Sequence, residues 1–301
     1  MKTFKIQIIT VVLFLGILAS FGLNTKNKIS KEEYKKAFVE NTKTFAVMIP
    51  DKLSFAGEEI PLDRFYVREA LEKEFTVNTY FHSSSIFLIK RANRWFPVIE
   101  PILKKNNIPD DFKYLAVAES GLENVVSPAG ATGFWQILKH TGREYGLEVN
   151  GDIDQRYHVE LATEAACNYL KKAYEKYGNW TLVAASFNAG MGKISDELDR
   201  QQEGDYFDMI FGEETGRYVY RILALKELLE NPQNYGFYLR SEDLYQPYQL
   251  RKITIDTTIN DIPAFAKSYG LNYKEFKIYN PWIRQAYLAN KSGRTYTISV
   301  P

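Results

Sequence analysis

The stretch AVAESGLENVVSPAGATGFWQ, Ala116 to Gln136, places a carboxylate at the end of an apolar run. Glu119 follows Tyr114 to Ala118 and stands two residues before Gly121, so it falls where a buried helix ends. Apolar neighbours disfavour the ionised form of a carboxyl group. Its pKa rises, and it can keep a proton near neutral pH for delivery to a leaving group. Glu119 is the candidate general acid. The small residues Ser127 to Gly133 then let backbone approach a ligand closely, before Phe134, Trp135 and Gln136 restore bulk. Aromatic faces beside amides and hydroxyls suit a flat, hydroxyl-rich ligand such as a sugar chain.

The composition agrees with that ligand. A chain of 301 residues with 45% hydrophobic content can bury a substantial core in one large or two unequal domains. Thirty-eight basic and 37 acidic residues leave a net charge of +1, which gives no electrostatic case for nucleic acid. Aromatics reach 15%, favouring carbohydrate stacking over phosphate binding. The one cysteine, Cys167, has no internal partner and reads as a buried thiol. His82, His140 and His158 share no ligand spacing, so neither a metal nor any other cofactor is expected.

Outward from the central stretch, residues 1–23 carry Lys2 and Lys5, an apolar run from Ile8 to Leu18, and the small residues Ser20 and Gly22. This is the pattern of an export signal, cleaved or kept as a membrane anchor, and it puts the protein in the periplasm or cell envelope. Residues 24–60 read as a spacer with one short helix near Lys31 to Val39. From Pro61 the period is helical, with Phe65, Val67, Leu71 and Phe75 assigned to one face, and a second helix runs from Phe81 to Ile102. Pro109-Asp110-Asp111 starts the helix that delivers Glu119. A short helix spans Ile137 to Tyr145, and a loop with two aspartates follows. Ala162, Ala165, Ala166, Tyr169, Leu170, Ala173 and Tyr177 then mark the apolar stripe of a long helix stopped by Gly178. Asn179 caps a helix over Trp180 to Asn188, whose glycine-flanked exit leaves room around the Asn188 amide. A last helix, Thr215 to Leu229, carries Tyr218.

The aromatic and proline-rich stretch 232–249 marks a domain boundary, leaving a helical domain over 61–235 and a small α+β unit over 250–301. That unit reads strand, helix, helix, strand: Lys252 to Ile255, Asn260 to Tyr269, Tyr273 to Tyr279, and Tyr296 to Val300.

Glu119-Ser120, Ser127-Pro128, Gly133-Phe134-Trp135-Gln136, Phe187-Asn188-Ala189-Gly190, and Glu214-Thr215 with Tyr218-Val219 resemble, in order, the motifs of the lytic transglycosylases with a goose-type lysozyme-like (SLT) domain. With its tail, which resembles a LysM module, the chain is similar to the membrane-bound murein type D of that family. The resemblance implies a mainly α, lysozyme-like catalytic domain followed by a βααβ module. It also implies peptidoglycan glycan strands as substrate, cut between N-acetylmuramic acid and N-acetylglucosamine to leave 1,6-anhydro ends. Carried onto this sequence, it makes Glu119 the acid and base and Ser127 a contact to an N-acetyl group. Gln136 and Asn188 line the cleft, and Tyr218 bonds near the glutamate. Ser120, Phe134 and Trp135 complete the substrate-binding candidates. The family's Gly-Leu-Met-Gln is Gly133-Phe134-Trp135-Gln136 here, with larger side chains that narrow the wall. The module's usual Gly-Asp-Thr is Ile255-Asp256-Thr257, a departure that bears on its sugar affinity.

Each candidate also has a plain structural account. Ser120 and Ser127 fit as caps, Gln136 as a helix-end amide, Tyr218 as core, and Glu119 as half of a buried ion pair. Two rival functions stand beside the first. One is a hydrolytic muramidase, in which Glu119 works with Glu123 or Asp154 and water attacks. The other is a non-catalytic peptidoglycan-binding scaffold.

Overall fold

The computed structural model describes residues 30–41, 43–291 and 293–301. The expected export signal lies outside them. Among the described residues no helix is long and apolar enough to cross a membrane. The chain divides into residues 1–46 and 47–301. In the first unit, helix α1 (Lys31–Asn41) starts with a reciprocal cap: Glu33 N–H donates to Ser30 Oγ at 3.1 Å, and Ser30 N–H to Glu33 Oε2 at 2.9 Å.

The second unit opens with a hairpin of β1 (Ser54–Phe55) and β2 (Glu58–Glu59), turned through Ala56 and Gly57 at φ 52° and 84°. Two long helices follow, α2 (Phe65–Tyr80) and α3 (His82–Lys105). Val67, Leu71 and Phe75 form the buried face of α2, but Phe65 is 72% exposed. Standing at the first position of α2, it precedes the turn in which that face reaches the core. A turn over Asp110–Phe112 leads into α4 (Lys113–Ser120), and α5 (Lys139–Glu144) follows the glycine-rich segment.

Helix α6 (Val159–Tyr177) buries Ala162, Ala165, Ala166, Leu170 and Ala173 and stops at Gly178, φ 61°. Small residues on that stripe bring neighbouring helices close. Next come α7 (Trp180–Ala189), α8 (Met191–Gln201) and α9 (Glu213–Glu230). Asn179 Oδ1 accepts from Leu182 N–H at 2.7 Å as expected of a cap. The Glu58 carboxylate adds bonds from the Trp180 and Thr181 amides at 2.6 and 2.9 Å, an anion at a helix N-terminus. Helix α8 has no counterpart in the sequence-based expectations. Its period is present, with Met191, Ile194 and Leu198 at i, i+3 and i+7 against the core, although only Ile194 is fully buried.

Helix α9 packs against α2, α4 and α7, while α6 lies between α3 and α7. One hydrophobic cluster joins these helices, from Leu53 to Phe237.

The C-terminal unit has the order β3 (Arg251–Ile255), α10 (Ile262–Ser268), α11 (Tyr273–Tyr279), β4 (Tyr296–Val300). β3 and β4 pair antiparallel, Arg251 opposite Val300 and Ile255 opposite Tyr296. On β4, Tyr296, Ile298 and Val300 are buried and the residues between are not, the period-two signature of a half-buried strand. The wholly buried Asn280 donates to Phe276 O and Ser299 O and accepts from Ser299 N–H, tying the end of α11 to β4.

Candidate active site

Gly121, in the left-handed region at φ 61°, ends α4 and returns its N–H to Val117 O at 2.8 Å. Glu119 is thereby left on the last turn, half-buried, facing a cleft of about 520 Å³. The opposite rim is the 127–137 segment. Ser127 and Ala131 close it on themselves: Ser127 N–H donates to Ala131 O at 2.9 Å, and Ala131 N–H to Ser127 Oγ at 3.1 Å. Gly133 is obligatory. Its φ is 79°, and a Cβ there would lie 2.1 Å from Arg156 O. Gln136 also has positive φ, 45°, and holds that conformation with its own amide, which donates to Gly133 O at 2.8 Å and Val125 O at 3.1 Å.

Tyr218, buried on α9, donates its hydroxyl to Glu119 Oε1 at 2.5 Å. Burial, the largest influence, pushes the Glu119 carboxyl up. The Tyr218 bond pulls it down, the Glu214 charge raises it and Arg221 lowers it; together they bring it from 4.5 to about 7. Tyr218 is itself pushed well above its ordinary value, first by burial and then by the Glu119 charge, so it stays a donor. Asn188, at the end of α7, has its amide fixed on both sides. Thr215 Oγ1 donates to its Oδ1 at 3.1 Å, and its Nδ2 donates to Glu214 Oε1 at 3.3 Å.

Of the residues singled out from sequence, Glu119, Ser127, Trp135, Gln136 and Asn188 line the cleft, and Tyr218 stands behind Glu119. Trp135 forms its fully buried floor, with Nε1 donating to Thr163 Oγ1 at 2.9 Å. Ser120 and Phe134 lie off the cleft. The Ser120 hydroxyl faces Ala116 O and Phe134 O at 3.1 and 2.9 Å, a strut between α4 and the far rim. Phe134 is 2% exposed and packs edge-on against Trp95. Three further aromatics line the cleft: Tyr145, Tyr169 and Phe187. The i, i+3, i+4 stripe assigned Tyr169 to the core, yet it is half-buried and donates to Ser186 O at 2.6 Å. Its neighbour Phe187 stands in the quoted motif.

Neither carboxylate considered as a partner for Glu119 lines the cleft. Glu123 pairs with Arg91, and the buried Asp154 pairs with Arg156 at 2.7 Å. Among the described residues there is no group of three or more His, Cys, Asp or Glu placed to hold a metal ion. Cys167 is buried, its thiol pushed up to about 12 by that burial.

The described residues thus form a helical domain with a raised-pKa carboxyl in an aromatic cleft, followed by a βααβ module. Residues 96–210 match the transglycosylase SLT domain model, and residues 251–301 match the soluble lytic transglycosylase C-terminal LysM-like domain. The chain therefore carries an SLT domain and a LysM-like domain. It is 27% identical over 257 residues to membrane-bound lytic murein transglycosylase D of Escherichia coli strain K12, covering 82% of this chain and 55% of that protein. It is 24% identical over 106 residues to a putative tributyltin chloride resistance protein of Alteromonas sp. strain M-1, covering 35% of this chain and 51% of that one. The chain spans about half the length of these curated relatives. The crystal structure of the 70 kDa soluble lytic transglycosylase of Escherichia coli overlaps it with a TM-score of 0.40 and 22% identity, over 51% of this chain and 27% of that one.

Proposed function

We propose that this chain is a peptidoglycan lytic transglycosylase, cutting the β-1,4 bond between N-acetylmuramic acid and N-acetylglucosamine. The observation that carries this is Glu119, held near pH 7 by burial, bonded to Tyr218, and facing an aromatic cleft. Its proton goes to the glycosidic oxygen as the bond from that oxygen to the muramic anomeric carbon breaks. The muramic 6-hydroxyl oxygen then bonds to that carbon, and its proton passes to the Glu119 carboxylate, which is restored. No water is consumed. A nucleophile held in the same ring supplies by proximity part of what a second carboxylate supplies elsewhere, and the acid is worth roughly 10²- to 10⁴-fold. The other carboxylate on the cleft, Glu214, is exposed and accepts the Asn188 amide, and its charge helps to raise the Glu119 pKa.

This substrate puts the enzyme's work in the cell envelope. Ser127 meets an N-acetyl group, while Gln136 and Asn188 shape the cleft around the sugar. Residues 1–23 act as export signal or anchor, and the C-terminal module adds contact to the glycan.

The test is mass spectrometry of purified glycan strands digested with wild type and Glu119→Gln. Anhydro ends, one water lighter than reducing ends, are expected from wild type and none from the variant. Reducing ends would establish a muramidase instead, and equal digestion by both proteins would remove Glu119 from the chemistry.

A further inference from the structure

Arg156 is 8% exposed and makes four bonds that join two parts of the molecule. Its Nε and Nη2 donate to Asp154 at 2.9 and 2.7 Å. Its Nη1 donates to Gly130 O at 2.9 Å and Ile137 O at 3.0 Å, the two sides of the cleft rim that carries Ser127, Trp135 and Gln136. One guanidinium thus ties Gly130 to Ile137 across that rim, adding to the backbone bonds between Thr132 and Ile137. A planar fork of donors suits this task, whereas a lysine would supply a single point of attachment.

The segment bearing Arg156 is held in turn by the C-terminal module. Asp154 N–H donates to Trp282 O at 2.9 Å, Arg284 N–H to Asp152 O at 2.8 Å, and Ile153 bridges to Ile283. The Arg284 guanidinium lies over the Tyr157 ring, 4.0 Å from its centroid. Ile153 and Tyr157 belong to the hydrophobic cluster of the module rather than to that of the helical domain. One short segment therefore has Ile153 in the module's core and Arg156 bonded to the rim of the cleft from behind.

We propose that the LysM-like module acts as a positioning element for the active site. By fixing residues 152–157 it fixes Arg156, and through Arg156 the spacing of the rim opposite Glu119. Arg156 is a positioning residue, since it reaches the cleft only through Gly130 and Ile137. The effect on cleavage rests on the transglycosylase function proposed above; the mechanical link does not. Misplacing a cleft wall by about 1 Å costs up to about 10²-fold in rate.

The experiment uses the full chain with two separate substitutions, Arg156→Lys in the segment and Ile283→Ala in the module. Amide hydrogen exchange of residues 127–137 is followed alongside kcat/KM on a soluble glycan fragment too short to span cleft and module together, well below the melting midpoint. Faster exchange at the rim in both variants is expected, with kcat/KM lowered about 10-fold or more through a raised KM and an unmoved pH profile. Unchanged rim exchange in a folded variant overturns the proposal. So does a loss of activity that tracks only the unfolded fraction. Should Ile283→Ala not fold, Arg284→Ala, which takes the module's guanidinium off the Tyr157 ring, gives the same two outcomes for the rim. A wild type that protects its rim but leaves glycan uncut would refute the assigned reaction while preserving the link.

Discussion

Glu119→Gln should stabilise the protein at neutral and alkaline pH while abolishing cleavage. In the folded chain the carboxyl titrates at about 7, against 4.5 for an unperturbed group. Below about 4.5 both states carry the proton, and the raised value costs nothing. Between 4.5 and about 7 the unfolded chain releases its proton while the folded chain keeps it, so stability falls as pH rises. Above about 7 the loss is complete. At about 1.36 kcal/mol per pH unit the gap between the two values is worth about 3 kcal/mol, and the partial exposure of the side chain trims this toward about 2. Glutamine is neutral throughout, has nearly the same shape, and still accepts from the Tyr218 hydroxyl. The variant is therefore expected to match wild type in urea unfolding at about pH 4 and to exceed it by about 2 to 3 kcal/mol at about pH 8. A difference independent of pH, or a variant less stable at the alkaline end, would refute the claim that burial holds a proton on Glu119.

Tyr218→Phe removes the bond that lowers the Glu119 pKa. The alkaline limb of the activity profile should move to higher pH while kcat falls about tenfold; a pH–rate series checks both, and an unmoved or acid-shifted limb contradicts the assignment. Gly133→Ala combines a positive φ with a Cβ 2.1 Å from Arg156 O. It should cost about 2 kcal/mol or more in urea unfolding, and a loss below about 0.5 kcal/mol would mean that the rim yields easily.

The end of α4 was legible because two local signals agree there: the apolar run 114–118 requires burial and Gly121 requires a stop. The long stripe of α6 and the alternation of β4 were legible for the same reason, since periodicity reports which side of an element is covered. What covers it is another matter. Tyr169 shares the α6 stripe with Leu170 and Ala173, yet its ring borders a cavity made by Trp135 and Phe187 from elsewhere in the chain. Glu58 caps a helix that starts more than a hundred residues later, and Arg156 holds carbonyls 19 and 26 residues earlier. Nothing local distinguishes such side chains from solvated charges. Ser120 and Phe134 show the converse, because adjacency to motif residues does not turn a side chain toward the cleft.

That Glu119 keeps its proton also depends on a charge it does not touch. Arg221, on the same helix as Tyr218, is close enough to lower the Glu119 pKa and would, as a direct ion pair, abolish its acidity near neutral pH. It does not form that pair. Glu74, 1% exposed on α2, lies 3.8 Å from Arg221 Nε and accepts from Arg217 Nε at 2.6 Å. A buried carboxylate without cations is costly, so Glu74 draws both arginines toward the α2–α9 interface. What reaches Glu119 is only the distant field of Arg221, the smallest of the four influences on it. Packing of α9 against α2 thus keeps Arg221 a minor influence and leaves burial to dominate the acidity of a group on α4. Sequence pattern alone points to the carboxyl, but the absence of a neutralising partner is a property of three helices at once.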